Sequence, residues 1–410
     1  MAPLGHALRS LLPFREKASA THSLPHSAGH VTWLGAGKAS WTSRGYTALS
    51  REAYSKNIIA HRSIKMVAEC SATIPLRVTR DNTLLQSSAL QSLLAKPNHM
   101  QDGVSFIENL CGFLQLSGNV YIELVQGADG TPVELHLLRP DRMAVVPGNS
   151  GWPVAYDYKV GGRTHRFAVD SVTGRSNILH IKTFNPIDDH YGMSSLEAAA
   201  QSIDLHNAAS DWNKALLDNA ARPSGALIFE PGEGQSSSLS DDQVKRLKAE
   251  MQEQFQGRDN AGRPFLLEGG LKWQQVALSP ADMDFLNCKN VSAREIALAF
   301  GVPTMLLGIP GDNTYSNYLE ANRALWRLTI IPLMRKVITA LSGWLSPRYG
   351  DGFSLDIDLD EIPALAIERE KLWARLDSAT FLTVNEKRKA VGLKPINGGD
   401  SLHSILGDKQ

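Results

Sequence analysis

Residues 194–221 read SSLEAAAQSIDLHNAASDWNKALLDNAA, and this stretch decides the fold. Eight alanines stand among Ile203, Leu205, Trp212, Leu216 and Leu217. Alanine has the highest helix propensity, because it loses no rotamer freedom and buries no polar group. The stretch predicts one helix that rises about 42 Å, at about 1.5 Å per residue. Pro223 and Gly225 stop it. Small side chains let helices approach closely, which suits a crowded helical wall. Asp204, Asn207, Asp211 and Lys214 form its polar row.

Upstream, residues 50–193 read as a mixed α/β domain. Ile58, Ile59, Ile64, Met66, Val67 and Ala68 predict a helix within 50–72, ended before Pro75. Residues 76–79 follow as a short strand. Val104, Ile107, Leu110 and Leu114 share one face of a helix over 103–117. Gly118-Asn119 turns into a strand at 120–125. Ala128-Asp129-Gly130 makes a hairpin turn, and 133–138 returns. Further strands are expected at 143–146, 155–160 and 178–183. Residues 1–49 are rich in Ser, Ala, Gly, Pro and His without periodicity. They read as a largely disordered arm.

Downstream, residues 222–280 read as a compact insert. It has strands at 226–230, 264–267 and 271–277, and a charged helix capped by Ser240-Asp241-Asp242. A helix over 281–300 carries Ala293, Ile296, Ala297 and Phe300 at i, i+3, i+4 and i+7. The next segment, 301–315, holds the breakers Gly301, Pro303, Pro310 and Gly311 and reads as a loop. A long helix over 316–345 contains Pro332, which predicts a kink. Residues 353–360 alternate apolar and acidic, a half-buried strand. Residues 363–392 predict two helices broken near 380–383. The Gly-rich tail from 394 is expected to fray.

The 410 residues are 43% hydrophobic, enough for several packed domains. Lys and Arg number 42, and Asp and Glu number 42. That balance argues against a wide basic grip on nucleic acid, but not against nucleic acid that slides past. Cys70, Cys111 and Cys288 are too few and too scattered for a disulfide framework or a CxxC metal motif, so a reducing compartment is expected. No run of about eighteen apolar residues appears, so no membrane span is expected.

Motifs that carry chemistry are broken where they begin. Gly35-Ala36-Gly37-Lys38-Ala39-Ser40 resembles a phosphate loop, but Thr32 and Ala39 stand where glycine and a hydroxyl are needed. His22, His26 and His30 are spaced by four, but Pro25 and Gly29 interrupt a helix that would align them. Asp356, Asp358 and Asp360 line one strand face at about 6.6 Å intervals. They read as a solvated or inter-subunit face, since Glu361 and Ile367 break the EF-hand pattern. Asp188-Asp189-His190 reads as a polar turn rather than a nuclease site. No Gly-x-Ser-x-Gly elbow is present. The chain reads as a non-enzyme with no cofactor and no metal.

Several local motifs recur in a fixed order. They are Gly118-Asn119-Val120-Tyr121, residues 137–142 (LLRPDR), His180-Ile181 to Phe184, Gly192-Met193-Ser194-Ser195-Leu196 and residues 219–225 (NAARPSG). Then come Glu295-Ile296-Ala297, Phe300-Gly301-Val302-Pro303, Leu307-Gly308 and Thr314-Tyr315-Ser316-Asn317. Together they resemble the portal proteins of tailed phages, in the group of the lambdoid phage HK97, to which gene transfer agents carry similar proteins. Two departures stand out. Met193-Ser194-Ser195-Leu196 replaces the family's frequent Ser-Pro-Leu, and the C-terminal region is short.

The resemblance implies an α+β portal fold with a mixed α/β wing, two stem helices, a small α/β clip insert, a kinked long tunnel helix and a small helical crown. It implies a wing at 50–193 with a return strand in 346–362, stem helices at 194–221 and 281–300, and a clip at 222–280. It further implies a tunnel loop at 301–315, a long helix at 316–345, crown helices at 363–393 and a tail at 394–410. Such a chain forms a dodecameric ring in the virion at one capsid vertex, and is in the host cytoplasm during assembly. DNA passes through the ring on packaging and ejection. Partners implied are double-stranded DNA, the terminase large subunit, a head-completion adaptor and the major capsid protein, with no membrane. Asn313, Thr314, Tyr315 and Asn317 are neutral candidates for DNA-facing positions, and Lys214, Arg222 and Lys289 are basic ones. The polar row of 194–221 is expected to face solvent or DNA. The alternatives are another head–tail connector or minor capsid protein, and a nucleic-acid enzyme, which the broken motifs disfavour.

Overall fold

The computed structural model describes residues 41–81, 83–218, 225–229, 240, 242–247, 249, 271–275, 285–310 and 315–402. The expectations for residues 1–40, including the phosphate-loop fragment and the three histidines, lie outside these. So do those for 264–267 and most of the rest of 222–280.

Order begins earlier than the sequence suggests. A short helix α1 (Tyr46–Ser50) runs into a π turn (Arg51–Lys56) and then α2 (Ile58–Ala72). Asn57 caps α2, its side-chain oxygen accepting the N–H groups of Ile59 and Ala60. Then come β1 (Leu76–Arg80), β2 (Thr83–Leu84), α3 (Ala89–Ala95) and α4 (Gly103–Ser117). Neither β2 nor α3 was expected. α3 is short, with Leu90 and Leu93 as its buried residues, so it gives little periodic signal.

Two antiparallel sheets follow. β3 (Asn119–Gln126) lies between β4 (Pro132–Leu138) and β8 (Ile178–Lys182). β6 (Pro153–Val160) lies between β5 (Met143–Pro147) and β7 (Arg163–Ala168). β7 was missed because it reads RTHRFA and is almost wholly exposed, so it lacks an apolar alternation. Tyr121, Leu138, Met143, Tyr156 and Ile178 form the small core where the two sheets meet.

The Ala-rich helix is α5 (Ser195–Asp218), started by Ser194, whose hydroxyl accepts the N–H of Glu197 at 2.9 Å. The described residues divide into two compact units. In the smaller one, β9 (Gly225–Phe229) pairs antiparallel with β10 (Leu271–Gln275). There too Ser240 and Gln243 exchange capping hydrogen bonds of 2.9 and 3.3 Å. The larger unit resumes with α6 (Phe285–Ala299) and a 3-10 turn (Thr304–Leu307). It continues with α7 (Tyr315–Leu325), a second π turn (Trp326–Ile330) and α8 (Ile331–Tyr349). Pro332 sits at the second position of α8 and has no N–H to give Leu328. At the site of the expected kink the helix widens into a π turn.

Residues 317–349 are long and apolar enough to cross a membrane by length and composition alone. That hydropathy serves the core instead. Leu325, Ile330, Met334, Val337, Ile338, Leu341 and Leu345 are buried in the main core, while Arg327, Arg335 and Lys336 are exposed. Cys111 packs here, its sulfur 3.8 Å from that of Met334, and burial pushes its thiol pKa up to about 12. It is an inert core residue.

β11 (Phe353–Ile357) closes the sheet β11–β1–β2, with Leu355 and Ile357 buried and Ser354 and Asp356 exposed. The strand ends three residues short of the expected 360. α9 (Ala366–Ser378) and α10 (Val384–Ala390) break where the sequence predicts. The tail does not fray over 394–402. The Asn385 amide, 8% exposed, donates to the carbonyl of Ile396 and to Asp400 Oδ1, and accepts the N–H of Ile396.

Candidate functional site

Three constellations stand out in the larger unit. The first is a backbone knot that joins three of the sequence motifs. Gly118 ends α4 in the left-handed region at φ 71°. A Cβ there would lie 2.6 Å from the Met193 carbonyl carbon. A Cβ on Gly192 would lie 2.1 Å from the Gly118 carbonyl oxygen. Asn119 bridges the two segments. Its Nδ2 donates to Ser117 and Gly192 carbonyls, and its Oδ1 accepts the Gly192 N–H at 2.7 Å. That fixes the amide, so His180, with Nε2 3.0 Å from the same oxygen, must donate. His180 stacks on Tyr121 with ring centroids 4.2 Å apart. Burial, then Lys182 and His190, holds its pKa down to about 3. The imidazole is neutral and committed.

A cleft of about 1040 Å³ opens beside the knot, lined by Trp152, Tyr156, His180 and Lys182 among others. Two of its polar side chains are already engaged. His180 is spoken for, and Asp170 Oδ1 accepts the N–H groups of Val172 and Thr173. Asp188 likewise caps its own turn by accepting the N–H groups of His190 and Tyr191, which lowers its pKa. Just past β11, Asp358 pairs with Arg77 at 3.3 Å. Among the described residues no group of three His, Cys, Asp or Glu could hold a metal ion.

The second constellation corrects the expectation for α5. Three members of its polar row, Asp204, Asn207 and Asp211, reach back to residues 42–57, while Asp211 and Lys214 stay exposed. Asp204 accepts the backbone N–H of Thr42 at 3.1 Å and the Thr42 hydroxyl. Asn207 accepts from Asn57 Nδ2 and donates to the carbonyl of Glu52. Asp211 pairs with Lys56 at 3.1 Å. His206, 5% exposed, lies with Nδ1 3.1 Å from Asn57 Nδ2. Asn57 Oδ1 is already taken by the α2 cap, so its amide donates and His206 accepts as a neutral ring. Burial first, and Lys289 second, lower the His206 pKa. The row therefore anchors the helix to the segment 42–57, through Thr42, Glu52, Lys56 and Asn57. The sequence hid this because the anchoring segment, 42–57, lay in the presumed arm and at the ragged start of the first helix.

The third is the segment after α6. Thr329 Oγ1 donates to the Gly301 carbonyl at 2.6 Å, and the Arg294 guanidinium donates to the Pro310 carbonyl. Ile309, 5% exposed, packs on Ala293 and Ala297. Residues 301–310 are thus a pinned 3-10 elbow, not an open loop.

Among the candidate DNA-facing residues, Asn313, Thr314 and Arg222 lie outside the described residues. Tyr315 opens α7, Asn317 and Lys214 are exposed, and Lys289 is half-buried and acts on His206. The residues that do converge, Asn57, His206, Asn207, Arg294 and Thr329, were not singled out in the sequence for these contacts.

The phage portal protein family model matches residues 59–392. A chain in the neck of an empty GTA particle with C6 symmetry is 52% identical, with a TM-score of 0.67. The match covers 88% of this chain and 97% of that one. A chain in the neck of a native GTA particle with C12 symmetry is 51% identical at a TM-score of 0.66, with the same coverage. The probable portal protein of Streptomyces phage phiC31 is 27% identical over 82% of this chain and 74% of its own length.

Proposed function

The chain belongs to the phage portal protein family, and from that premise we propose that it forms a ring-shaped channel at one vertex of a capsid, through which DNA is packaged and later leaves. The observation that carries this reading is the 52% identity to a chain in the neck of a GTA particle, over nearly the whole of that chain. The C12 symmetry of a related neck supports a ring of twelve copies. The particle is a phage, a prophage or a gene transfer agent.

The wing is assigned to 50–193 with the return strand, and the stem to α5 and α6. The insert at 222–280 is the clip, where the terminase large subunit and then a head-completion adaptor dock. Residues 301–315 stand at the narrowest point of the bore, and residues 363–393 form the crown. The major capsid protein surrounds the ring. The chain catalyses nothing in this scheme, because the force on DNA comes from the separate terminase. Formal neutrality suits a conduit, since each Lys or Arg placed on a phosphate adds affinity that slows passage. Asn313, Thr314, Tyr315 and Asn317 are proposed to touch DNA weakly, with Lys214, Arg222 and Lys289 along the stem. Asp204, Asn207 and Asp211 are engaged by the segment 42–57 and leave the bore to other residues.

Electron microscopy of the purified protein tests the reading. Closed rings with a central hole are expected. Monomers or dimers at every salt and protein concentration would overturn it. Binding of terminase to residues 222–280 separates a portal from another head–tail connector.

A further inference from the structure

Two helix faces in the larger unit point outward with the same spacing. On α5 the exposed row is Gln201, Leu205, Ala208, Trp212 and Ala215, in steps of four, three, four and three. On α6 it is Asn287, Val291, Arg294 and Leu298, in steps of four, three and four. A row that steps alternately by four and three, as both do, is a seam along which two helices pack side by side. Its apolar members face water in the single chain. Leu205 is 39% exposed, Val291 45% and Leu298 79%. The one charge in either row, Arg294, is turned onto the Pro310 carbonyl.

We propose that the α5 row of one copy packs against the α6 row of the next copy around the ring. This deepens the portal reading and rests on it. A second copy is the occupant because a chain 51% identical stands in a neck of C12 symmetry. The contact joins two different faces, as a head-to-tail ring requires.

The register follows from the chain itself. Ser202 donates to Glu295 at 2.7 Å, so these residues stand at one level of α5 and α6. Farther along α5, Lys289 acts on His206, so the two helices run antiparallel. Rotation about the ring axis carries a neighbour sideways without raising it. With α5 and α6 running parallel to that axis, the neighbour's α6 keeps the levels of the chain's own α6. Val291 of one copy then falls between Leu205 and Ala208 of the next. Leu298 falls between Ala198 and Gln201. Each larger side chain on α6 meets a gap beside a small residue on α5, the knob-and-hole pattern of paired helices.

The test uses the full chain in a Cys288→Ser background, which removes the exposed native thiol on α6. Leu205→Cys and Val291→Cys are made singly and together, and purified rings are treated with a short bis-maleimide. The double variant is expected to give a covalent ladder that climbs past the dimer on a denaturing gel, and each single variant none. Double-variant rings that look normal by electron microscopy but stay monomeric on the gel overturn the register and leave the ring standing. If the parent chain forms no rings, the portal reading fails with it. A second pair guards against a folding defect. Leu205→Lys is expected to dissolve the rings into folded monomers, and adding Val291→Glu to restore them. Rings indifferent to Leu205→Lys overturn the proposal.

Discussion

Around Gly118 and Gly192 two backbones touch with no room for a Cβ, whereas α9 buries none of its thirteen residues. The first region carries Leu196, Tyr121 and Ile122 at 1% exposure or less, with Asn119 holding both segments in place. In the second, Ile367, Leu372 and Trp373 are 41, 40 and 54% exposed, and Arg369 lies over the Trp373 ring at 5.6 Å. The region around Gly118 and Gly192 is over-determined by packing. The C-terminal helices stand on local hydrogen bonds: the Thr383–Glu386 capping box and the Asn385 clasp. The same substitution chemistry should therefore read globally in one region and locally in the other.

The largest effect is expected at Gly192. Gly192→Ala pushes a methyl group into the Gly118 carbonyl, and neither backbone can yield without unseating Asn119. A loss of about 4 kcal/mol or more, at the top of the single-mutation range, is expected in denaturant unfolding. A variant that melts like the parent would show that the knot is slack and the comparison false.

Acid should attack the same region first. The His180 imidazole takes a proton at its ordinary 6.5 in the unfolded chain but only near about 3 in the fold. Between those values acid favours the unfolded state, so stability is full above 6.5 and falls as pH falls toward about 3. Buried His206, also held low, contributes with the same sign. His180→Gln keeps a donor for Asn119 and removes the titration. The gap between its melting curve and the parent's should close as pH drops from 7 toward about 4.5, since only the parent binds this proton on unfolding. A constant gap would mean that His180 is solvated.

How far the sequence could be read follows the same division. The knot's glycines and Asn119 sat in recognised motifs, yet the motifs alone did not show that 118–121 and 192–196 touch. Their contact spans seventy-odd residues and is made by backbone, which carries no composition signal. The long helices were legible because alanine content and a 3.6-residue stripe survive averaging. α3 and β7 were not, one being too short and the other too exposed. The polar row on α5 was visible but its direction was not. A helical row of Asp204, Asn207 and Asp211 looks the same whether it meets water, DNA or another helix, and Thr42, Glu52 and Lys56 decided the matter. The frayed tail was misread because one buried asparagine, Asn385, outweighs a Gly-rich composition.

In the C-terminal region, Asn385→Ala removes three side-chain hydrogen bonds to Ile396 and Asp400. A cost of about 2 kcal/mol is expected, confined to the tail. Hydrogen exchange should rise over 394–402 while the main melting transition stays put. A shift of the whole transition would mean that the tail is part of the core.

The smallest effect is expected at Thr383. Its hydroxyl accepts the Glu386 N–H at 3.2 Å, while the Glu386 carboxylate accepts the Thr383 N–H at 2.8 Å. Thr383→Ala breaks one half of this box and leaves the other. A capping loss of about 1 kcal/mol follows, felt by seven-residue α10 and little else. Because α10 carries Asn385, fraying its first turn should also loosen the tail, so exchange at 394–402 rises here too, by less than in Asn385→Ala. The double variant should then cost less than the two single changes added, since the cap and the clasp hold the same helix. Strict additivity would separate them, and the C-terminal region would then be two independent pieces rather than one locally held unit.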